Sequence, residues 1–389
     1  MIVAGVMSGT SADGINVALV RIKGPSSNPG RTDGYDVKVK LLGHAEYPYP
    51  RNVRHFILSA MNATGARVAD LARLNFLLPE LYAEAVVRAE QRFGRKAELV
   101  GCHGQTLYHQ GEAAAFLGHK LAVTWQSGDG SVLAARLKVP VVSDFRPADM
   151  AAGGKGAPLV SLFDFFLYRD SRRGRIAQNL GGIANLTAIP AAAAPEEVLA
   201  FDTGPGNMVI DAVTEHLFHR PYDRDGQIAA GGRVLDRVVR KALREPFFRR
   251  EPPKTAGREE FGRGFVQAFL GRCRGGGARD IVATATALTA QSIGDALRRF
   301  VLSKPGKYRD YIVSGGGVRN STLMTMLANE VLPLGLVISS SEEFGIPSEA
   351  KEAAAFALLA YQTWHHRPSN LPSATGARKP ALLGKVSYG

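Results

Sequence analysis

Three times along this chain a short apolar run gives way to a turn of small residues. Gly9-Thr10-Ser11-Ala12-Asp13-Gly14 follows the opening run, Gly181-Gly182 follows Ile176 to Leu180, and Gly315-Gly316-Gly317 follows Tyr311 to Ser314. Apolar runs of this length bounded by glycine read as strands. Further runs at Leu99 to Cys102, Val139 to Ser143 and Ala184 to Ile189 read the same way. Between them, Ala66 to Arg95 carries Val68, Leu71, Leu74, Leu78 and Leu81 at helical spacing, and Ile281 to Phe300 reads as a second long helix. Alternating strands and helices predict an α/β architecture of layered sheets.

Two segments, Met1 to Ile22 and Ile176 to Ile189, open as strand, glycine turn, strand, which predicts two lobes built alike. A chain of 389 residues is also long for one hydrophobic core. The expected division is 1–146, joined by the end of the chain at 385–389, and 147–384. Two such lobes imply a cleft.

Two cysteines, Cys102 and Cys273, exclude a disulfide framework and a four-cysteine zinc site and fit a reducing, cytoplasmic setting. No apolar stretch is long enough for a membrane span, and the N-terminus lacks the pattern of a signal peptide. The formal net charge of +13 is spread along the chain among acids, which argues against nucleic acid and favours anionic small molecules.

The first turn sets glycines, hydroxyls and Asp13 between two strands, a composition that offers N–H groups to phosphate oxygens and a carboxylate to a magnesium ion. The second, Asn179-Leu180-Gly181-Gly182, heads the other lobe. In the third, Gly315-Gly316-Gly317-Val318-Arg319-Asn320, bare backbone admits a base or ribose beside a new helix N-terminus. No GxxxxGK[ST] loop occurs, so a P-loop nucleotide site is excluded.

The ordered strings MSGTSADG, CHGQT, DFRPADMAAGGKGAPL, NLGGIAN, FDTGPGN, YDRDG, PPKTAGREEFG, VSGGGVRN and FGIPSEAKEAAAFA resemble the motif set of the anhydro-N-acetylmuramic acid kinases, within the superfamily of actin, heat-shock ATPases and sugar kinases. The resemblance runs from Gly5 to about Gly384. It implies a two-lobed actin-like (RNase H-like) fold, each lobe a mixed sheet flanked by helices, with ATP and Mg²⁺ bound centrally. It implies a reaction in which water opens a 1,6-anhydro bridge while O6 takes the γ-phosphoryl group, giving N-acetylmuramic acid 6-phosphate in cell-wall recycling. It also implies a homodimer.

By the same resemblance Asp202 is the base that takes a proton from water, and Gln105, Thr106, Arg146 and Glu352 contact the sugar. ATP falls to Gly9, Thr10, Ser11, Asp13, Gly14, Asn179, Gly181, Gly182, Gly204, Gly206, Asn207, Gly315, Gly316, Gly317 and Asn320, with Asp13 holding the metal through water. His103 reads as a buried, satisfied histidine and Glu349 as surface. The chain has Asn16 where the family's first motif carries a second aspartate, and Pro147-Ala148 where relatives are more basic. Two other readings keep the fold: a kinase of another anhydro-sugar such as levoglucosan, and a nucleotide-dependent sugar sensor without chemistry.

Overall fold

A computed structural model describes residues 1–24, 37–61 and 63–389. It divides into two compact units, Met1–Leu167 with Gly345–Gly389, and Tyr168–Phe344.

The first unit holds β1 (Ile2–Ser8), β2 (Gly14–Lys23), β3 (Lys38–Pro48), β4 (Leu99–Phe116), β5 (His119–Ser127), β6 (Val141–Ser143) and β12 (Lys385–Ser387). The second holds β7 (Gly174–Leu180), β8 (Ile183–Ile189), β9 (Leu199–Pro205), β10 (Tyr308–Ser314) and β11 (Val337–Ser340). In the first sheet the strands run β3-β2-β1-β4-β6, extended by β12 at the β6 edge and by β5 against β4. In the second they run β9-β8-β7-β10-β11. In both, the first three strands of the unit pair antiparallel and the last two join in parallel. The order 3-2-1-4-5 with the same directions appears twice, so the duplication read from two strand-turn-strand openings extends through five strands.

Hydrophobic burial explains which helix covers what. In the helix Val68–Phe93, Leu74, Leu78, Tyr82, Val86 and Ala89 are buried at spacings of three and four and pack on the first sheet, and Gly94 closes the helix in the left-handed region. The stripe is shifted from its expected start, because Val68 is 82% exposed on the first turn. In the second unit, the helix Ala278–Ala296 is buried almost throughout and runs into a π turn at Leu297–Val301, ending the α-helix short of Phe300.

The boundary differs from the expected one. Residues 345–389 belong to the first unit because the helix Lys351–Trp364, buried from Ala353 to Thr363, packs on β1, β2 and β4. Residues 147–167 also stay there. Asp149 accepts from Asn370 Nδ2 at 2.6 Å and from Thr375 Oγ1 at 2.7 Å, and Lys155 N–H donates to Thr375 O at 2.8 Å. The segment after His366 thus packs back on the body, with Leu371, Ala374 and Leu383 buried.

Candidate active site

In the first unit, β1 ends at a buried serine whose hydroxyl fixes the glycine turn from behind. Ser8 Oγ donates to Gln105 Oε1 at 2.5 Å and accepts from Tyr49 at 2.9 Å, while Gln105 Nε2 donates to Gly9 O at 3.3 Å. The amide of Gln105 is thus committed to the turn, and the residue is fully buried. Thr10 and Ser11 stand exposed at the apex, Gly9 is half-buried, and Gly14 is buried at the start of β2. Asp13 reaches out to Arg54 Nη2 at 2.8 Å.

A cavity of about 140 Å³ opens beside this turn, lined by Met7, Gly9, Ser11, Asp13, Gly14, Asn16, Glu46, Glu349 and Glu352. Glu349 is exposed, as expected, in the 3₁₀ turn Ser348–Ala350, and it also lines this cavity with Glu352, the second residue of the following helix. Asn16 Oδ1 faces His44 Nε2 at 2.9 Å. Among the described residues no three His, Cys, Asp or Glu side chains group closely enough to hold a metal ion. An exposed carboxylate such as Asp13 is of a kind that meets a hydrated cation through water rather than directly.

Arg146 and Glu352 form the second part of this unit's constellation. Arg146 donates through Nη1 to Gly156 O at 2.6 Å and through Nε and Nη2 to His103 Nε2 at 3.1 and 2.9 Å. His103 Nδ1 lies 2.8 Å from Gly104 O, which can only accept. The proton must then sit on Nδ1, leaving Nε2 as a neutral acceptor for the guanidinium. Burial and the adjacent Arg146 hold the His103 pKa well below its usual value, consistent with that tautomer. Burial brings Arg146 down to about 10, opposed by the charges of Glu352 and Asp149. Glu352 can be reached from the cavity, but the protein packed around its carboxyl group raises its pKa, against the pull of Arg146 and Lys351. Thr106 Oγ1 accepts from Gln126 Nε2 at 3.2 Å, which leaves its own O–H as a donor.

In the second unit three turns meet at one end of the sheet, because β7, β9 and β10 run in the same direction. Gly206 N–H donates to Gly182 O at 2.9 Å and Asn207 N–H to Gly181 O at 2.8 Å, and Asn207 Nδ2 reaches Leu180 O at 3.3 Å. Gly315 has φ +91°, and a Cβ there would come within 2.6 Å of Asn179 Oδ1, so a side chain would both strain the turn and strike its neighbour. Asn320 is buried and caps the helix Ser321–Val331 by accepting from Leu323 N–H at 2.9 Å. Gly182 and Gly316 are exposed, while Gly204, Gly206 and Gly317 are buried beneath them.

Asp202 lies on β9 opposite Asn185, two residues before the Gly204-Pro205-Gly206 turn from which the helix Asn207–Phe218 departs. Its backbone N–H donates to Lys254 O at 3.0 Å and its Oδ2 accepts from Ala256 N–H at 2.7 Å. Burial pushes its pKa up to about 7. The Ala256 N–H and Lys254 lower it, while Glu260 and Glu259 raise it further. A carboxyl group poised near neutrality with one oxygen fixed has the character of a general base. Lys254 and Ala256 were not singled out from the sequence, although PPKTAGREEFG carried them; a lone lysine after two prolines gives no hint that it packs beside an aspartate fifty-odd residues earlier.

The matches to known proteins make this chain a kinase, a phosphotransferase with an alcohol acceptor. The family profile of anhydro-N-acetylmuramic acid kinase matches residues 1–389. Relatives named anhydro-N-acetylmuramic acid kinase include one from Bacillus cereus (strain AH187), 43% identical over 100% of this chain and 99% of its own. Another, from Bacillus thuringiensis subsp. konkukian (strain 97-27), is 42% identical over the same shares. The chain belongs to the anhydro-N-acetylmuramic acid kinase family. Among solved structures, the Acidaminococcus fermentans (R)-2-hydroxyglutaryl-CoA dehydratase component A aligns at 12% identity and TM-score 0.43 over 93% of this chain and 98% of its own, too loosely to bear on the site.

Proposed function

We propose that this protein is an ATP-dependent kinase that opens the 1,6-anhydro ring of 1,6-anhydro-N-acetylmuramic acid with water and phosphorylates O6, giving N-acetylmuramic acid 6-phosphate and ADP. The observation that carries the reading is Asp202, a carboxyl group held by a backbone N–H and raised to about 7 by burial. Asp202 takes the proton of the attacking water, and the oxygen released at C6 accepts the phosphoryl group. Family membership over the full chain favours this sugar over levoglucosan, and the poised base favours an enzyme over a sensor.

The sugar is assigned to Arg146, Glu352 and Thr106, each of which keeps charge or a donor to offer. Gln105 acts behind them, holding the turn at Gly9. The triphosphate is assigned to the backbone of Gly9, Thr10, Ser11 and Gly14, and of Asn179, Gly181, Gly182, Gly204, Gly206 and Asn207. The nucleoside falls to Gly315, Gly316, Gly317 and Asn320. A Mg²⁺ ion, held by Asp13 through water, would neutralise charge on the phosphates. The setting is cytoplasmic, in keeping with two free, buried cysteines, and the assembly a homodimer.

Incubation with ATP, Mg²⁺ and the anhydro-sugar in ¹⁸O-water tests the chemistry: label is expected at the anomeric oxygen. Asp202→Asn is expected to lower turnover by about 10²-fold or more. Unlabelled product, or undiminished turnover by the variant, would overturn the assignment.

A further inference from the structure

Lys254 is only 1% exposed, a rare state for a lysine, since an ammonium loses its hydration on burial. Its Nζ donates to Phe247 O at 3.2 Å and Phe248 O at 3.5 Å. Three rings surround it, with centroids at 4.8 Å for Phe247, 5.0 Å for Phe300 and 5.8 Å for Phe201. Ring faces and carbonyl oxygens both stabilise a cation without neutralising it. Phe201 is the residue before Asp202 on β9, and the backbone around Lys254 grips that aspartate twice, through Lys254 O and through Ala256 N–H. One lysine thus ties its own segment, and with it the two backbone contacts to Asp202, to the aromatic core.

We propose that Lys254 is a positioning residue for Asp202: its ammonium, caged by three rings and two carbonyl oxygens, moors the segment whose Lys254 O and Ala256 N–H hold the aspartate. Its charge adds a smaller pull that lowers the Asp202 pKa, which the acid limb of a pH profile reads. The inference rests on the reading of Asp202 as the base. Other charges act on the pair. Glu260 and Glu259 oppose ionisation of Asp202, while burial brings Lys254 itself down to about 8, with Arg299 and Arg250 lowering it and Asp295 and Asp202 raising it, so the acid limb is read below pH 8, where the lysine carries its charge. Glu259 and Glu260 are therefore the adversaries of the lysine in setting the basicity of the site. A neutral side chain of similar length would keep the packing and lose the charge, which separates the two roles.

The test is the pH profile of kcat/KM for the anhydro-sugar in the full-length enzyme, wild type beside Lys254→Gln, Lys254→Arg and Asp202→Asn. Glutamine keeps an N–H donor for the phenylalanine carbonyls but no charge, and the acid limb is expected to move upward by about half a pH unit or more. Arginine keeps the charge, so its limb is expected to stay at the wild-type position even if its rate falls. A Lys254→Gln limb that coincides with wild type would overturn the proposal, and so would an Arg limb displaced like that of Gln. Should the Gln variant not fold, Lys254→Met, which keeps the length of the side chain and removes its charge, takes its place by the same criterion. Near-normal turnover by Asp202→Asn would instead remove the base, a different failure.

Discussion

Replacing Asp202 by asparagine should make the protein more stable, in a manner that depends on pH. The folded carboxyl group titrates at about 7 against an ordinary value of 3.8, chiefly because burial disfavours its charged form. A carboxyl pKa raised in the folded state means that folding takes up a proton between these two values, so stability from this group is full below the ordinary value and declines as pH rises through the folded one. The slope between them is about 1.4 kcal/mol per pH unit, and the whole interval amounts to about 4 kcal/mol as an upper bound. Asp202 is half-buried, and solvent screening trims this to about 1–3 kcal/mol. Asparagine keeps an oxygen for the Ala256 N–H and carries no charge. At pH 8 the variant should therefore melt about 1–4 °C above wild type, and at pH 4 the two should coincide. Differential scanning calorimetry across this range reads the difference directly. A variant that melts at or below wild type at pH 8 would refute the argument, because the native carboxylate would then not be desolvated.

The remaining expectations concern neighbouring residues. His103→Ala removes the acceptor behind Arg146 and should raise KM for the sugar by about tenfold with a smaller change in kcat, on the scale of one lost bond to a charged group; steady-state kinetics would show it, and an unchanged KM would count against the role. Glu352→Gln removes the charge that opposes Arg146 and should lower kcat/KM by at least about tenfold, with calorimetric sugar titration distinguishing weaker binding from slower chemistry. Asn320→Ala strips the cap from the helix Ser321–Val331 and should cost about 1 kcal/mol in urea unfolding, together with a raised KM for ATP.

What could be read from the chain depended on how local the signal was. The glycine turns were legible because apolar runs and small residues sit side by side in sequence, and the duplicated opening was enough to anticipate two like sheets. The strands β3, β5, β9, β11 and β12 were not anticipated; β11 and β12 are only four and three residues long, and β9 runs into the Gly-Pro-Gly turn that its sequence announces. β3 is half-exposed along much of its length, and β5 continues into the exposed arm of β4, so neither carries a continuous apolar run. The return of the C-terminal helix to the first unit was missed as well, since alanine content marks a helix but does not name the strand it will touch. At the site, Asp202 and Arg146 came from motif resemblance. The groups that hold them, Lys254 and Ala256 for the one and His103 for the other, lie more than forty residues away in sequence.

The alanine-rich helix Lys351–Trp364 lies so close on the first sheet that side chains have been cleared from the strands beneath it. A Cβ on Gly5 of β1 would strike the carbonyl of Ala353, and one on Gly101 of β4 would strike that of Phe356. The strand touched at Gly5 runs directly into the turn at Gly9, and the helix that touches it begins beside Glu352. Acid and turn are thereby mounted on a single stiff bracket, and the spacing between them is set by backbone against backbone rather than by adjustable side chains. A serine at Gly5 would act as a shim, prising both apart at once, and its damage should be felt by sugar and nucleotide alike although it touches neither.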